Sequence, residues 1–160
     1  HPIIFYNKYI NKFETIYNNS ILGNRSIDYV FWDKVKKIDV SNGVILTSNN
    51  ACTNTLRYAL KPILICIETI DGIAYAPKLA QPVKNILEKI YEVDFSNPPE
   101  KHHGGIWYDR TYKNVFENKT HDQWKEISNE FDLKGLILPG KWNLQLNKSL
   151  IGKKFTYYEL

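Results

Sequence analysis

The chain has 160 residues, 43% hydrophobic and 24% charged, a composition that fits one folded domain and excludes a disordered or fibrous protein. Its formal net charge of +4 is spread along the chain without a block of like charges. Because nucleic-acid binding relies on clustered basic residues that neutralise phosphates, we expect no nucleic-acid partner.

No apolar run approaches the roughly 20 residues that a membrane-spanning helix needs, and the chain contains no methionine. We expect a single soluble α/β domain over residues 1–160, excised from a longer protein, and these observations are compatible with a membrane segment upstream. Within it, residues 1–40 are predicted to form a pair of helices and residues 43–160 a core that contains the sheet.

Two amphipathic helices are predicted at the start of the chain. In the first, aromatic and aliphatic residues recur at helical spacing between Tyr6 and Tyr17. The second follows Ser26, its predicted N-cap, and aligns an apolar stripe that includes Phe31. The sequence Ser41-Asn42-Gly43 is expected to end it.

Four short runs predict strands near 44–47, 63–67, 135–139 and 154–159. The first three are continuous and apolar, and helical segments separate them. This pattern indicates a small, mostly parallel sheet flanked by helices on both faces. The last run alternates in polarity, which is typical of a strand with one face half exposed.

Three helices are predicted to connect these strands. The first follows Ser48, and the second opens at Gln81-Pro82, where a first-turn proline is tolerated. The third begins with a capping box formed by Thr120 and Gln123. Between the last two, residues 95–119 form a long irregular segment with at least one helical turn, and such segments are usually functional or mobile.

Two segments carry residues suited to ligand binding. Thr47 and Ser48 stand where a strand ends and a helix begins, the position at which open α/β sheets bind ligands, although no glycine-rich phosphate loop is present. Residues 101–110 combine aromatic rings for stacking with an arginine that suits a carboxylate or phosphate. The candidate ligand-binding residues of this second segment are His102, His103, Trp107, Asp109 and Arg110.

Both segments also have a purely structural interpretation. Thr47 and Ser48 then serve as ordinary helix-capping residues, and residues 101–110 form a solvated loop. In that loop Trp107 fills the core and Arg110 makes an ordinary ion pair. The sequence leaves both interpretations open.

No catalytic or metal signature is complete in the sequence. Adjacent histidines without a third ligand at useful spacing do not predict a metal site, no nucleophile elbow is present, and we expect no cofactor. Cys52 and Cys66 flank one predicted helix and the strand after it, so a disulfide and two buried thiols both fit. A disulfide here would stabilise the fold by roughly 3 kcal/mol.

Several short motifs follow one another along the chain. They are Gly43-Val44-Ile45-Leu46-Thr47-Ser48, the segment 56–65 with Arg57 ahead of an apolar run, Trp107-Tyr108-Asp109-Arg110, Trp124-Lys125-Glu126-Ile127 and Gly135-Leu136-Ile137-Leu138-Pro139. With the closing aromatic strand, this order resembles the extracytoplasmic C-terminal domain of bacterial multi-spanning proteins related to the C-type glycosyltransferase fold. The resemblance covers roughly residues 43 to 160, but the Trp-Trp-Asp motif of oligosaccharyltransferases is absent.

The resemblance implies a non-catalytic periplasmic domain, membrane-attached in the full-length protein, that binds or positions a glycan or lipid-linked sugar. Its other partner would be the membrane-spanning region upstream, whose loops would hold the catalytic acids. Arg57, Trp107 and Arg110 are the positions it singles out. Two alternatives remain: a free-standing small α/β transferase-like enzyme that uses residues 101–110 with Thr47 and Ser48, and a structural protein-interaction domain.

Overall fold

The computed structural model describes residues 28–66, 70, 72–97 and 109–160, which form an α/β fold around a four-stranded mixed sheet. Four predicted features lie wholly or partly outside the described residues. They are the helix between Tyr6 and Tyr17, the N-cap residue Ser26, the last residue of the predicted strand 63–67 and most of the segment 101–110.

The sheet is open, and its strands lie in the order β1-β2-β4-β3. Strand β1 spans Val44–Thr47, β2 spans Leu133–Pro139, β3 spans Lys148–Ile151 and β4 spans Phe155–Glu159. β1 runs parallel to β2, whereas β4 runs antiparallel to both of its neighbours. The strands predicted near 44–47, 135–139 and 154–159 are therefore present.

The prediction of a mostly parallel sheet is wrong, because only one of the three strand pairs is parallel. β3 and β4 are joined by residues 152–154, a connection far too short for the crossover that parallel strands require. β3 itself was not predicted, since it opens with the polar pair Lys148-Ser149 and has no continuous apolar run.

The strand predicted near 63–67 is present only as an isolated parallel bridge between Ile63 and Ile45. The Ile45 amide donates to the Pro62 carbonyl, and the Leu64 amide donates to the Ile45 carbonyl, at 2.9 Å each. Proline offers no N–H for a longer ladder. Cys66 is bonded to Cys52 in the helix that follows β1.

The helices agree with the predicted segments to within a few residues. They are α1 (Tyr29–Lys37), α2 (Asn49–Asn54) with a π-helical continuation (Thr55–Ala59), α3 (Ala80–Tyr91), α4 (Asp109–Asn118) and α5 (His121–Phe131). Two short 3₁₀ turns, Gly72–Ala74 and Pro77–Leu79, precede α3.

Two of the predicted helix starts can be compared with the structure at atomic detail. The capping box of α5 is confirmed, with the Gln123 amide donating to Thr120 Oγ1 at 3.2 Å and the Thr120 amide donating to Gln123 Oε1 at 2.8 Å. The predicted cap of α1 is wrong, because Asp28 occupies that position and its Oδ1 accepts from the Phe31 amide at 3.1 Å. The other oxygen of Asp28, Oδ2, accepts the Lys153 amide at 2.8 Å.

Neighbouring residues of the central strands pack into two different apolar clusters, as the alternation of side chains along a strand requires. Leu138 and Tyr158 belong to a first cluster with the buried stripe of α3 and with Phe116 and Trp124. Ile137 and Tyr157 belong to a second cluster, together with the residues Phe31, Trp32 and Val35 of α1.

β4 differs from its prediction as a half-exposed strand. All four residues from Phe155 to Tyr158 are buried. The strand lies between β2 and β3, so neither of its edges is free, and its alternate residues enter the two clusters. Its polarity pattern reflects a polar residue, Thr156, that is nevertheless only 1% exposed.

Candidate functional site

A pocket lies at the carboxyl end of β1. β1 ends at Thr47, Ser48 begins α2, and the Ser48 amide donates to the Ile137 carbonyl at 2.9 Å, which ties this junction to the parallel strand β2. The carboxyl ends of adjacent parallel strands are where α/β sheets place their ligands. Aliphatic side chains form part of the wall, namely those of Ile65, Ile70, Leu87 and Leu138.

Two hydroxyl groups in this pocket have no hydrogen-bond partner. Thr47 is 4% exposed and Ser48 is 5% exposed, and neither hydroxyl oxygen has a hydrogen-bond partner among the residues that the structure describes. Buried polar atoms are nearly always hydrogen-bonded, and leaving one unpaired costs about 1–3 kcal/mol. The third unpaired buried side-chain atom identified in the described chain, Trp124 Nε1, belongs to a residue that does not line the pocket.

Ser48 occupies the N-cap position of α2 without capping through its side chain. Its carbonyl accepts from the amides of Ala51 and Cys52 at 2.9 and 3.0 Å, but its hydroxyl makes no cap bond. An N-cap serine normally accepts from an amide in the first turn. The structural interpretation of Ser48 as an ordinary capping residue therefore does not account for its hydroxyl.

Aromatic rings form another part of the wall of the pocket. Tyr91 lies edge-to-face with Tyr112 at a centroid distance of 5.0 Å and with Phe116 at 5.4 Å, and Phe116 contacts Trp142 at 5.5 Å. Burial, and to a lesser extent the neighbouring Tyr91, raises the pKa of the Tyr112 phenol well above its usual range. Tyr112 therefore stays neutral at physiological pH.

The pocket is narrow. The space within it that water can enter measures about 20 Å³, which matches one water-sized group. Asn49, Ile70 and Tyr91 are half-exposed and mark its solvent-facing side, whereas Thr47 and Ser48 are buried.

A disulfide between Cys52 and Cys66 borders the pocket, so the structure takes the first of the two alternatives that the sequence left open. The bond joins α2 to the segment after Ile65, and Cys66 is itself a lining residue. It therefore fixes one wall of the pocket against the helix that begins at Ser48.

The structure brings together only part of the predicted site. Thr47, Ser48 and Cys66 meet in one pocket, but Arg57 does not line it. Arg57 is exposed, and its guanidinium carbon lies 5.4 Å from the ring centroid of Tyr58. The remaining candidates cannot be located in this way: His102, His103 and Trp107 lie outside the described residues, as do the side chains of Asp109 and Arg110, whose backbone begins α4.

The sequence-based site omitted the aromatic wall. Tyr91 was predicted only as part of the buried stripe of α3, and Trp142 follows no periodic pattern. Tyr112 and Phe116 are four residues apart, so they share one side of α4 and lie at the same pocket. That spacing is the sequence signal that could have identified them.

Across the described ranges, no group of three or more His, Cys, Asp or Glu side chains is arranged to hold a metal ion. In the same part of the chain, none of the helices combines the length and the apolar character needed to cross a membrane.

No protein-family model, curated protein or solved structure matches the chain.

Proposed function

We propose that this chain is a non-catalytic extracytoplasmic domain of a membrane glycosyltransferase-like protein, and that its pocket binds a glycan or lipid-linked sugar. The observation that carries the proposal is the pair of unpaired hydroxyls of Thr47 and Ser48 in a pocket with an aromatic wall. Ligand pockets typically combine apolar walls with a few placed polar groups.

A sugar suits both parts of this lining. Each protein hydroxyl can donate one hydrogen bond and accept others, which matches the donor and acceptor capacity of a sugar hydroxyl. The C–H face of a sugar ring can pack against the ring of Tyr91, which is the half-exposed aromatic residue of the lining. Binding would therefore remove the cost of the two unpaired hydroxyls while burying apolar surface.

The disulfide supports the extracytoplasmic part of the proposal. Disulfides persist in secreted and periplasmic proteins and are rare in the reducing cytosol. Cys52 and Cys66 are the only cysteines of the chain, and both are used in this bond. Attachment to a membrane-spanning region upstream completes the proposal.

The proposal also assigns helices to both faces of the sheet, with the pocket on the face covered by α3 and α4. Its support is the division of the core into two clusters. The first contains the stripe of α3 together with Tyr112 and Phe116 of α4, and the second contains Phe31, Trp32 and Val35 of α1.

The test is an NMR titration of the protein with three neutral sugars: methyl α-glucoside, methyl α-mannoside and N-acetylglucosamine. We expect at least one of them to cause saturable shifts of the backbone amides around residues 47–49 and 112–116. Thr47→Val and Ser48→Ala should each weaken that binding by about fivefold, since each removes roughly 1 kcal/mol of hydrogen bonding.

Thr55→Val is the matched control, because Thr55 is buried but its hydroxyl is already bonded to the Ala51 carbonyl and does not line the pocket. It should leave the affinity unchanged. The absence of saturable shifts with all three sugars, or shifts confined to residues away from the pocket, would refute the proposal.

A further inference from the structure

We infer that the group this pocket accepts is an uncharged ring substituent that carries a hydroxyl, so that with a lipid-linked sugar it takes the neutral sugar and excludes the phosphate groups. This inference rests on the proposed function, because it narrows the ligand class of the same pocket.

The first support is the charge of the lining. The described residues that line the pocket have aliphatic, aromatic or hydroxyl-bearing side chains, apart from the amide of Asn49 and the disulfide-bonded Cys66. None of them carries a charge. An ion transferred into such surroundings loses its hydration without gaining a counter-charge, which costs much more than burying a neutral hydroxyl. A phosphate or carboxylate is therefore disfavoured there.

The second support is the need for a polar partner. Thr47 Oγ1 and Ser48 Oγ are both buried and unpaired, and they belong to consecutive residues at one place in the lining. A purely apolar ligand would enclose them further and leave them unpaired. A ligand hydroxyl can bond to either or both, so the lining selects for a hydroxyl over a methyl group of similar size.

The third support is size. The water-accessible space of about 20 Å³ accommodates a group as small as a hydroxyl or hydroxymethyl. A ring cannot enter this space beside the two hydroxyls and would lie on the solvent-facing side, at the half-exposed Tyr91. The exocyclic hydroxymethyl arm of a hexose has this combination of a small polar group attached to a larger ring.

The experiment compares benzyl alcohol, benzoate and toluene at pH 7, three probes that share one ring and differ in the substituent. Affinities are measured from the amide shifts of residues lining the pocket. We expect benzyl alcohol to bind at least tenfold more tightly than benzoate and about fivefold more tightly than toluene. In Thr47→Val/Ser48→Ala the preference over toluene should disappear while toluene binding persists, and Thr55→Val should keep the preference.

The outcomes separate this inference from the proposed function. Benzoate binding as tightly as benzyl alcohol would refute the selection for uncharged groups, and toluene binding as tightly would refute the role of the hydroxyls; either result leaves the pocket as a binding site. Failure of all three probes and of the neutral sugars would refute the proposed function itself. Should the double variant fail to fold, Ser48→Ala alone should reduce the preference for benzyl alcohol over toluene, and it removes no cap bond from α2.

Discussion

Two buried threonines show that the effect of a hydroxyl on the free energy of unfolding depends on whether it has a hydrogen-bond partner. Thr55 is fully buried, and its Oγ1 donates to the Ala51 carbonyl at 2.9 Å. Thr47 is almost as buried, but its Oγ1 has no partner. A satisfied hydroxyl contributes modestly to stability, whereas an unpaired one costs free energy, so the same substitution should have opposite effects at the two positions.

We predict that Thr47→Val raises the free energy of unfolding by about 1 kcal/mol, because valine keeps the shape and removes the unpaired oxygen. Thr55→Val should lower it by about 1 kcal/mol, since it removes a buried hydrogen bond. Urea denaturation of both variants beside the parent protein measures the difference. A loss of stability in Thr47→Val as large as in Thr55→Val would show that Thr47 is hydrogen-bonded after all.

Ser48 leads to a related prediction, because it stands at a helix N-cap without a cap bond. Replacing a capping serine by alanine usually costs about 0.5–2 kcal/mol. We expect Ser48→Ala to change the free energy of unfolding by less than about 0.5 kcal/mol, whereas Thr120→Ala should show the usual cost because Thr120 caps α5. Equal losses in the two variants would contradict the described geometry of Ser48.

Among the secondary-structure elements, α1 is joined to the β3–β4 turn through one carboxylate. Asp28 accepts the Lys153 amide, and this bond is the main cause that holds the pKa of the carboxyl below its usual value. Partial burial opposes the effect, and the Phe31 amide reinforces it. A depressed pKa in the folded state means that the carboxylate stabilises the fold above its unfolded pKa of 3.8 and that this stability is lost at lower pH.

We therefore predict that Asp28→Asn is less stable than the parent protein at pH 7 and that the difference shrinks as the pH falls below 3.8. Unfolding measured between pH 7 and pH 2 tests this. Glu126→Gln is the control, since Glu126 is exposed and lies beyond the first turn of α5, so at pH 7 it should change the free energy of unfolding by less than about 0.5 kcal/mol. If the difference in stability between Asp28→Asn and the parent protein stayed constant from pH 7 to pH 2, the charge of the Asp28 carboxylate would not be what stabilises the fold.

A second link between elements joins the end of α3 to the start of α5. The Lys119 ammonium pairs with Glu92, and Lys119 is only 4% exposed whereas Glu92 is 58% exposed. Breaking such a pair is worse when the group left behind is the buried one. Glu92 also has a positive φ of 55°, so a substitution should keep its shape to isolate the charge.

We expect Glu92→Gln to lower the free energy of unfolding by about 1–2 kcal/mol, because it leaves the buried ammonium without its counter-charge. Lys119→Met should cost less, since it leaves an exposed carboxylate in water. Thermal or chemical denaturation of both variants and of the double variant gives the comparison. If Lys119→Met lowered the free energy of unfolding more than Glu92→Gln, Lys119 would stabilise the fold through an interaction other than this ion pair.

For the whole molecule, the disulfide is the covalent link that holds the pocket wall. Cys52 and Cys66 are 14 residues apart, and a loop of that length stabilises by roughly 3 kcal/mol in the chain-entropy description. We predict that Cys52→Ala/Cys66→Ala loses about that much stability and that the oxidised parent protein shows no reactive thiol when denatured. Two titratable thiols in protein purified from an oxidising compartment would contradict the bond and weaken the extracytoplasmic proposal.

The sequence predicted those parts of the fold that depend on local pattern. The apolar run of β1, the stripe of α3 and the Thr120 capping box each follow from neighbouring residues. The strand pairing could not be predicted in the same way, because β4 inserts between β2 and β3 through contacts distant in sequence. β3 also lacks the continuous apolar run from which a strand could have been predicted.

The candidate site could likewise be predicted from the sequence only in part. The position of Thr47 and Ser48 at the end of a strand could be predicted from the sequence, and both lie at the pocket. That their hydroxyls lack partners depends on the packing of α3, α4 and the residues after β2, which no local pattern specifies. Trp142 enters the pocket from that last segment and could be found only from the structure.

The central claim is that the hydroxyls of Thr47 and Ser48 hold a sugar against the aromatic wall. Intermolecular nuclear Overhauser effects between the protein and whichever of the three neutral sugars binds most tightly test it most directly. We expect effects from the sugar protons to the Thr47 methyl group and to the ring of Tyr112, because both residues line the pocket. Saturable binding with effects only to residues elsewhere in the molecule would contradict it.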